Sequence, residues 1–343
     1  MTNNPDISII IPCYNSAPYL RSCLNSILTQ TVNLHRLQLI LVNDASTDST
    51  SDILSEYESS YPHEILVLTL SKNQGQGYAR NLALTYASGT YILYVDADDL
   101  IAPYSIELLL KHANILQCDI LEFDFTRNYN ALTNIQTALT VPPSIYNITT
   151  PSQHQLFCSC GFKYGTICNK LYLRKFLQDH DIINAEHLVH EDTLFSELSS
   201  LYIHRYAYLP VTLYYYRPNS NGTMLQAACN DIHQFDRLEV QLQFLDECDQ
   251  RNLLKNNFFA IETMFIRTYY IDTLLFVLER FDTPPLDKLQ EMQHTILTCF
   301  PNYTENPLIS YQQTPLENLL LSSLQTPFSN DLFFTLKKQI REL

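Results

Sequence analysis

The chain has 343 residues, 46% of them hydrophobic and 12% aromatic, which is ample apolar surface for two domains or for one large domain with an appendage. Its 6 glycines and 16 prolines exclude collagen-like sequence and long disordered linkers. The formal charge is −15 and no part is basic: residues 1–120 carry 5 Lys and Arg against 12 Asp and Glu, residues 121–225 carry 7 against 8, and residues 226–343 carry 9 against 16.

Duplex binding rests on neutralising phosphates, so nucleic acid is excluded as the main partner. Nine scattered cysteines, with no apolar leader at the start of the chain, imply reduced thiols and a cytoplasmic compartment. His154, Cys158, Cys160 and Cys168 lie close together, but their spacing matches no C-x₂-C zinc pair. The longest apolar stretch, Phe258 to Phe281, is interrupted by Glu262, Arg267, Asp272 and Glu279. It falls short of the roughly 20 uninterrupted apolar residues that a membrane helix needs.

In chain order, the β-branched run Ile7–Ile11 predicts a first strand, bounded by Pro12 and the loop Cys13-Tyr14-Asn15-Ser16. Leu20, Leu24, Ile27 and Leu28 give helical spacing over 17–30. A second strand, 37–42, ends in Asn43-Asp44, and a helix follows over 49–57 with Thr47 or Asp48 as its cap. A third strand, 65–70, leads to Asn73-Gln-Gly75-Gln-Gly77, where the glycines permit a tight turn into a helix over 78–87 that carries Arg80 and Asn81. The fourth strand, 91–95, is apolar throughout, as suits a strand covered on both faces, and it ends in Asp96-Ala97-Asp98-Asp99.

Four strand–helix alternations in about a hundred residues are the pattern of a mostly parallel, doubly wound α/β sheet. All four strand ends are polar, and in such a sheet they share one rim, where open α/β folds bind ligands. Crowded carboxylates repel unless a cation or donor network offsets them, so the acidic turn reads either as a divalent-metal site or as a solvated helix cap. The first turn lacks G-x-G-x-x-G, which disfavours a dinucleotide-binding dehydrogenase.

Taken as an ordered set, Ser8-Ile-Ile-Ile-Pro-Cys-Tyr-Asn15, Leu41-Val-Asn-Asp-Ala-Ser-Thr-Asp48, Asn73 to Asn81 and Val95-Asp-Ala-Asp-Asp-Leu100 resemble the family 2 glycosyltransferases of GT-A fold. The resemblance implies an inverting transfer from a UDP-sugar, with Mn²⁺ or Mg²⁺ as cofactor. It implies that Pro12, Tyr14 and Asn15 line the nucleoside pocket and that Asp44 accepts from the uracil imide N–H. Asn73, Gly77 and Arg80 would close over the nucleoside, with Arg80 near a phosphate; Asp96 and Ala97 would meet ribose or sugar, and Asp98 would bind the metal. Asp99 is left between capping and ligation.

The alternation in Asp119–Phe125 predicts a half-exposed or edge strand, and residues 133–151 an irregular connection. Cys168-Asn-Lys-Leu-Tyr-Leu-Arg174 and the pair Glu191-Asp192 before an apolar helix resemble the family's acceptor half. That resemblance makes Asp192 the general base and Glu191 its aid. Tyr214-Tyr-Tyr-Arg217, with Ser220 and Thr223, resembles the segment that folds over the diphosphate, with Arg217 opposing charge on the leaving nucleotide. Ile232, Phe235, Leu238, Leu242 and Leu245 predict an amphipathic helix, followed by further helices to the C-terminus.

The resulting expectation is a catalytic domain over 1–225, divided into a nucleotide-sugar half (1–120) and an acceptor half (121–225), and a helical C-terminal extension over 226–343. The acceptor is expected to be a glycan or lipid-linked glycan of bacterial surface polysaccharide. The C-terminal helices are expected first to pack on the catalytic domain, with a homodimer or peripheral membrane contact at the inner face as the alternatives. The rival classes are a nucleotidyltransferase on a similar sheet, which should carry a Gly-rich loop after the first strand, and a degenerate carbohydrate-binding or scaffold protein.

Overall fold

The computed structural model describes residues 5–130, 141–162, 166–219, 233, 235–309 and 314–342. The chain divides into two compact units, Met1–Thr149 with Tyr164–Cys229, and Thr150–Lys163 with Asn230–Leu343.

In the first unit the described strands are β1 Ile7–Cys13, β2 Leu37–Asn43, β3 Ile65–Thr69, β4 Tyr91–Tyr94, β5 Leu100–Ile101, β6 Ile120–Thr126, β7 Ser144–Asn147, β8 Lys170–Leu173 and β9 Arg205–Tyr215. They form one sheet in the order β3-β2-β1-β4-β8-β6-β9-β5, with β7 also on β9. Helices α1 Ala17–Leu28, α2 Thr50–Ser60, α3 Gly75–Tyr86 and α4 Ser105–Leu116 connect its first strands. Further along the chain come α5 Pro151–Leu156, which belongs to the second unit, then α6 Arg174–Asp179 and α7 Glu191–Tyr202.

The first four strands are parallel, with Ile7 opposite both Leu37 and Tyr91. The isoleucines of β1 and residues Leu39–Val42 of β2 are fully buried, which explains their continuous apolar runs. Beyond β4 the sheet is mixed: β8 runs antiparallel to β4 and β6, β6 is parallel to β9, and β5 and β7 are antiparallel to β9.

Strand β6 corrects the edge-strand expectation. It lies inside the sheet between β8 and β9, with Ile120–Phe123 buried. Its acids are matched by hydroxyls: Tyr206 donates to buried Glu122, and Tyr208 donates to Asp124 at 2.8 and 2.9 Å. Alternating acids therefore mark side chains met by tyrosines, since a buried carboxylate needs donors.

The two glycines of the third loop have different physical causes. Gly75 turns the chain at φ +84°, whereas Gly77 is a point of close approach. A Cβ on Gly77 would overlap the Ala185 carbonyl oxygen and come within 3.1 Å of Glu191 Cβ. The missing side chain lets α3 press against the turn that begins α7.

The second unit is helical: α8 Asp236–Gln250, α9 Leu254–Phe265, a π-helical stretch Ile266–Asp272, then α10 Thr273–Arg280, α11 Leu286–Cys299, α12 Pro315–Ser322 and α13 Asn330–Ile340. Leu238, Phe265, Tyr269, Leu274, Met292 and Phe333 belong to its core. Of the stripe expected on α8, Leu238 is buried, Leu242 is exposed, and Ile232 lies outside the described residues. Thr314 and Glu317 form a reciprocal capping box on α12, whereas the cap expected at Thr47 or Asp48 falls on Ser49, which makes no side-chain cap bond. Among the described residues, no helix is long and apolar enough to cross a membrane.

Because Gly77 abuts backbone, Gly77→Ala is expected to destabilise the chain by about 1–3 kcal/mol, read as a fall in the urea midpoint without change of slope. An unchanged midpoint would mean that α3 does not need this close approach.

Candidate active site

The loops after β1 and β2 are bound to each other. Asn15, at φ 46°, accepts with its side-chain oxygen from Thr47 N (2.8 Å) and from the Thr47 hydroxyl (3.2 Å), while its own N–H donates to Ser46 Oγ at 3.1 Å. Asp48 accepts from Ala17 N at 3.1 Å and Thr50 N at 2.9 Å, so one carboxylate serves the first turns of both α1 and α2. Burial alone would push its carboxyl up; the bonds from Thr50 and Ala17 outweigh that and hold it below the ordinary value. Pro12 is half-buried and Tyr14 is exposed on this rim.

Asp44 is buried, and its two oxygens accept from Gln74 N (2.7 Å) and Gly75 N (2.8 Å), which fastens the β2 end to the start of α3. Asn73 is exposed and its amide donates to the Asp44 carbonyl at 3.4 Å.

The acidic turn after β4 separates its three carboxylates. Asp99 is 1% exposed; it accepts from the Tyr214 hydroxyl at 2.6 Å and from Arg217 N at 2.8 Å. Burial, then Asp96 and Asp98, push its carboxyl up to about 8. Its place in the structure is therefore the seam between the acidic turn and the exit of β9. The Tyr214 hydroxyl also accepts from Asp96 N at 3.1 Å. Asp98 is partly exposed, accepts from the Asn219 amide at 2.8 Å, and is raised by burial and by Asp96 against the opposing effects of Asn219 and Arg217. Ala97 is buried between them. Arg217 donates to Ser22 Oγ at 2.9 Å, with its guanidinium 5.2 Å from the Tyr19 ring centre.

On the other side, the turn before α7 is locked to α3. Asn81 Oδ1 accepts from Asn184 N at 2.8 Å, the Asn81 amide donates to the Asn184 carbonyl at 3.0 Å, and His187 stacks on Tyr78. Glu191, 1% exposed, accepts from Arg80 Nη1 through Oε1, while its Oε2 is buried with no hydrogen-bond partner. Arg80 Nη2 donates to Asp96 at 2.8 Å. Asp192 follows, partly exposed, its carboxyl pushed up to about 7 by burial and then by Glu191, with Arg80 opposing.

The structure thus brings Asp96, Glu191 and Arg80 into one network, and Asp98, Asp99, Tyr214, Arg217 and Asn219 into another that shares the acidic turn. Gly77 and Arg80, expected over the nucleoside and a phosphate, are instead buried against Ala185, Glu191 and Asp96, because α3 packs that face inward. In the Asn-Lys-Leu-Tyr element, Lys170 is fully buried in β8 and donates to the Thr166 carbonyl and to Asn169 Oδ1, so that element builds the sheet. Tyr214 and Asn219 were not identified as site residues in the sequence, since their partners lie more than a hundred positions away; Ser220 and Thr223 lie outside the described residues. No described set of three His, Cys, Asp or Glu side chains converges to cage a metal.

A rim of polar loops, an acidic turn and a separate carboxylate of raised proton affinity are features that group-transfer sites share. Residues 8–181 match glycosyl transferase family 2, and the chain belongs to that family. Its relatives include the minor teichoic acid biosynthesis protein GgaB of Bacillus subtilis, 43% identical over 108 residues, which are 32% of this chain and 12% of that protein. They also include the poly(ribitol-phosphate) beta-glucosyltransferase of Bacillus spizizenii, 31% identical over 223 residues, 65% of this chain and 34% of that one. The chain thus spans about an eighth and a third of the length of these two relatives. Residues 1–349 of S. aureus TarS, solved in complex with UDP-GlcNAc, share the fold at TM-score 0.65 and 19% identity, covering 98% of this chain and 92% of that one.

The raised carboxyl of Asp192 has a consequence for stability. Below its ordinary 3.8 it is protonated in both folded and unfolded chains and contributes nothing. As pH rises from there to about 7 the unfolded chain ionises first, so stability is lost, and the full penalty stands above that value. Asp192→Asn is therefore expected to melt at a higher temperature than the parent at about pH 8, with the gain vanishing towards pH 4. A pH-independent difference in thermal scans would contradict the raised proton affinity.

Proposed function

We propose that the chain is an inverting glycosyltransferase that moves a hexose or N-acetylhexosamine from a UDP-sugar to a glycan hydroxyl in bacterial surface polysaccharide synthesis. The observation that carries this reading is Asp192: a carboxyl with its proton affinity raised to about 7, next to Glu191, and coupled through Arg80 to the acidic turn after β4. A base that works near neutral pH needs that affinity. The name of one relative, a poly(ribitol-phosphate) beta-glucosyltransferase, supports hexose transfer to a surface polymer.

In this reading residues 1–225, apart from 150–163 that belong to the helical unit, are the catalytic domain, with the donor held by 1–120 and the acceptor by the rest, and 226–343 are an appended helical region. Asp44, oriented by two backbone N–H groups, keeps a second lone pair on each oxygen for the uracil imide N–H. Pro12, Tyr14, Asn15 and Asn73 form the rim around the base, and Asp96 and Ala97 meet ribose or sugar.

Hard oxygen donors and a carboxylate whose charged form is disfavoured by burial and then by Asp96 suit a divalent cation. Asp98 would hold Mn²⁺ or Mg²⁺, completed by diphosphate and water, as such ions are bound when few protein ligands converge. The ion would neutralise charge on the diphosphate.

Asp192 takes the proton of the acceptor hydroxyl as its oxygen bonds to the anomeric carbon and the bond to the UDP oxygen breaks. Displacement from the face opposite UDP inverts the anomeric centre. Glu191, buried beside Asp192, orients the base or the acceptor. Arg217, pinned by Asp99 through its backbone, opposes charge on the departing diphosphate. The same reading has the enzyme act in the cytoplasm at the inner membrane face.

Two measurements test it. Asp192→Asn is expected to lower UDP-sugar turnover by at least about a hundredfold while UDP affinity stays close to the parent's; a large loss of UDP binding would sink the base assignment. Asp98→Ala is expected to abolish metal-dependent UDP binding in titration calorimetry, and an unaltered Mn²⁺-dependent isotherm would place the metal elsewhere.

A further inference from the structure

Arg80 is a family-motif residue whose surroundings differ from those of a phosphate ligand. Its side chain is 3% exposed, and both terminal nitrogens are committed: Nη1 to Glu191 Oε1, Nη2 to Asp96 Oδ1 at 2.8 Å with Gln76 Oε1 at 3.5 Å. Only Nε lacks a partner, and it is buried. A diphosphate could reach the terminal nitrogens of this guanidinium only by displacing one of these carboxylates.

The helix explains how the contact arises. Gly77, Arg80 and Asn81 lie at i, i+3 and i+4, and so share one face of α3. Gly77 lets Glu191 come close, Asn81 locks the preceding turn through Asn184, and Arg80 lies between them, against Glu191. A planar fork can hold two carboxylates from different elements at once, which a lysine cannot do with the same fixed geometry.

We infer that Arg80 is a positioning residue that holds the Glu191–Asp192 turn against the donor-side Asp96 and supplies the positive charge that keeps Asp192 available as a base. The inference deepens the proposed function and rests on it for the word base. The charged and titratable groups that act on Asp192 are Glu191 on α7, Arg80 on α3, Asp96 after β4 and Tyr172 on β8. Glu191 and Asp96 favour the protonated form of Asp192, and Arg80 favours the ionised form. In this arrangement Glu191 would otherwise be a buried negative charge directly beside the base. Arg80 offsets it, and it offsets Asp96 at the same time.

The test needs no turnover. Asp192 is titrated by ¹³C NMR in the full chain labelled at the Asp carboxyl carbon, and its resonance is assigned by its absence in Asp192→Asn. Arg80→Gln is expected to raise the Asp192 midpoint by about one pH unit or more, and Glu191→Gln to lower it. Because Arg80→Gln leaves the buried Glu191 and the part-exposed Asp96 without their cation, the double variant Arg80→Gln/Glu191→Gln keeps the test available if the single one does not fold. Its midpoint is expected about one unit above that of Glu191→Gln alone. Equal midpoints with and without Arg80 in either background would overturn the inference, since a merely structural arginine leaves the titration unmoved. Absence of sugar transfer by the parent chain would instead count against the proposed function and leave the titration result standing.

Discussion

The Arg80 guanidinium, buried between Asp96 and Glu191, is the constraint on which the first unit's site depends. It ties the carboxyl end of β4 to the N-terminal turn of α7, two elements separated by almost a hundred positions. Breaking a buried pair by removing one partner costs about 3–5 kcal/mol, because it strands an uncompensated charge. That cost holds the network together without implying that the pair is optimal for stability. An apolar replacement of the whole network could be as stable or more so. A charged arrangement here is better understood through what it does to the carboxylates around it.

Those carboxylates have the same chemistry and different environments. Asp48, among backbone donors, is held below its ordinary value. Asp99, buried beneath Asp96 and Asp98, is pushed up to about 8 and binds the exit of β9. Asp192, beside Glu191, is pushed up to about 7. Burial and neighbouring charge divide the three, so that one shapes a turn, one fastens the acidic turn to the exit of β9 and one keeps a raised proton affinity. Tyr214 links Asp99 to Asp96 by accepting from Asp96 N while donating to Asp99.

Much of the parallel half of the sheet was legible in the sequence, because strands covered on both faces are continuously apolar and their helices carry a separate period. The acidic turn and Asp192 were legible as residue types at strand and helix ends. What remained hidden was partnership. Periodicity says which way a side chain points; it does not say that Glu122 meets Tyr206 or that Asp98 meets Asn219. The interior position of β6 was missed for that reason, since acids alternating with apolar residues look solvated until the tyrosines of β9 are placed beside them. The partners of Arg80 were hidden in the same way: as a motif residue it suggested a phosphate, and its position on α3 relative to Gly77 turns it towards Glu191. Gly77 looked like a turn glycine, and only the Ala185 carbonyl reveals it as a contact.

The central claim is single displacement at the anomeric carbon, with Asp192 as base on the face opposite the nucleotide. The most direct measurement is the anomeric configuration of the sugar first transferred from an α-linked UDP-sugar, read by ¹H NMR before any mutarotation. The account predicts a β product, formed by the parent chain and lost in Asp192→Asn. An α product would require two displacements or front-face attack, and would contradict it.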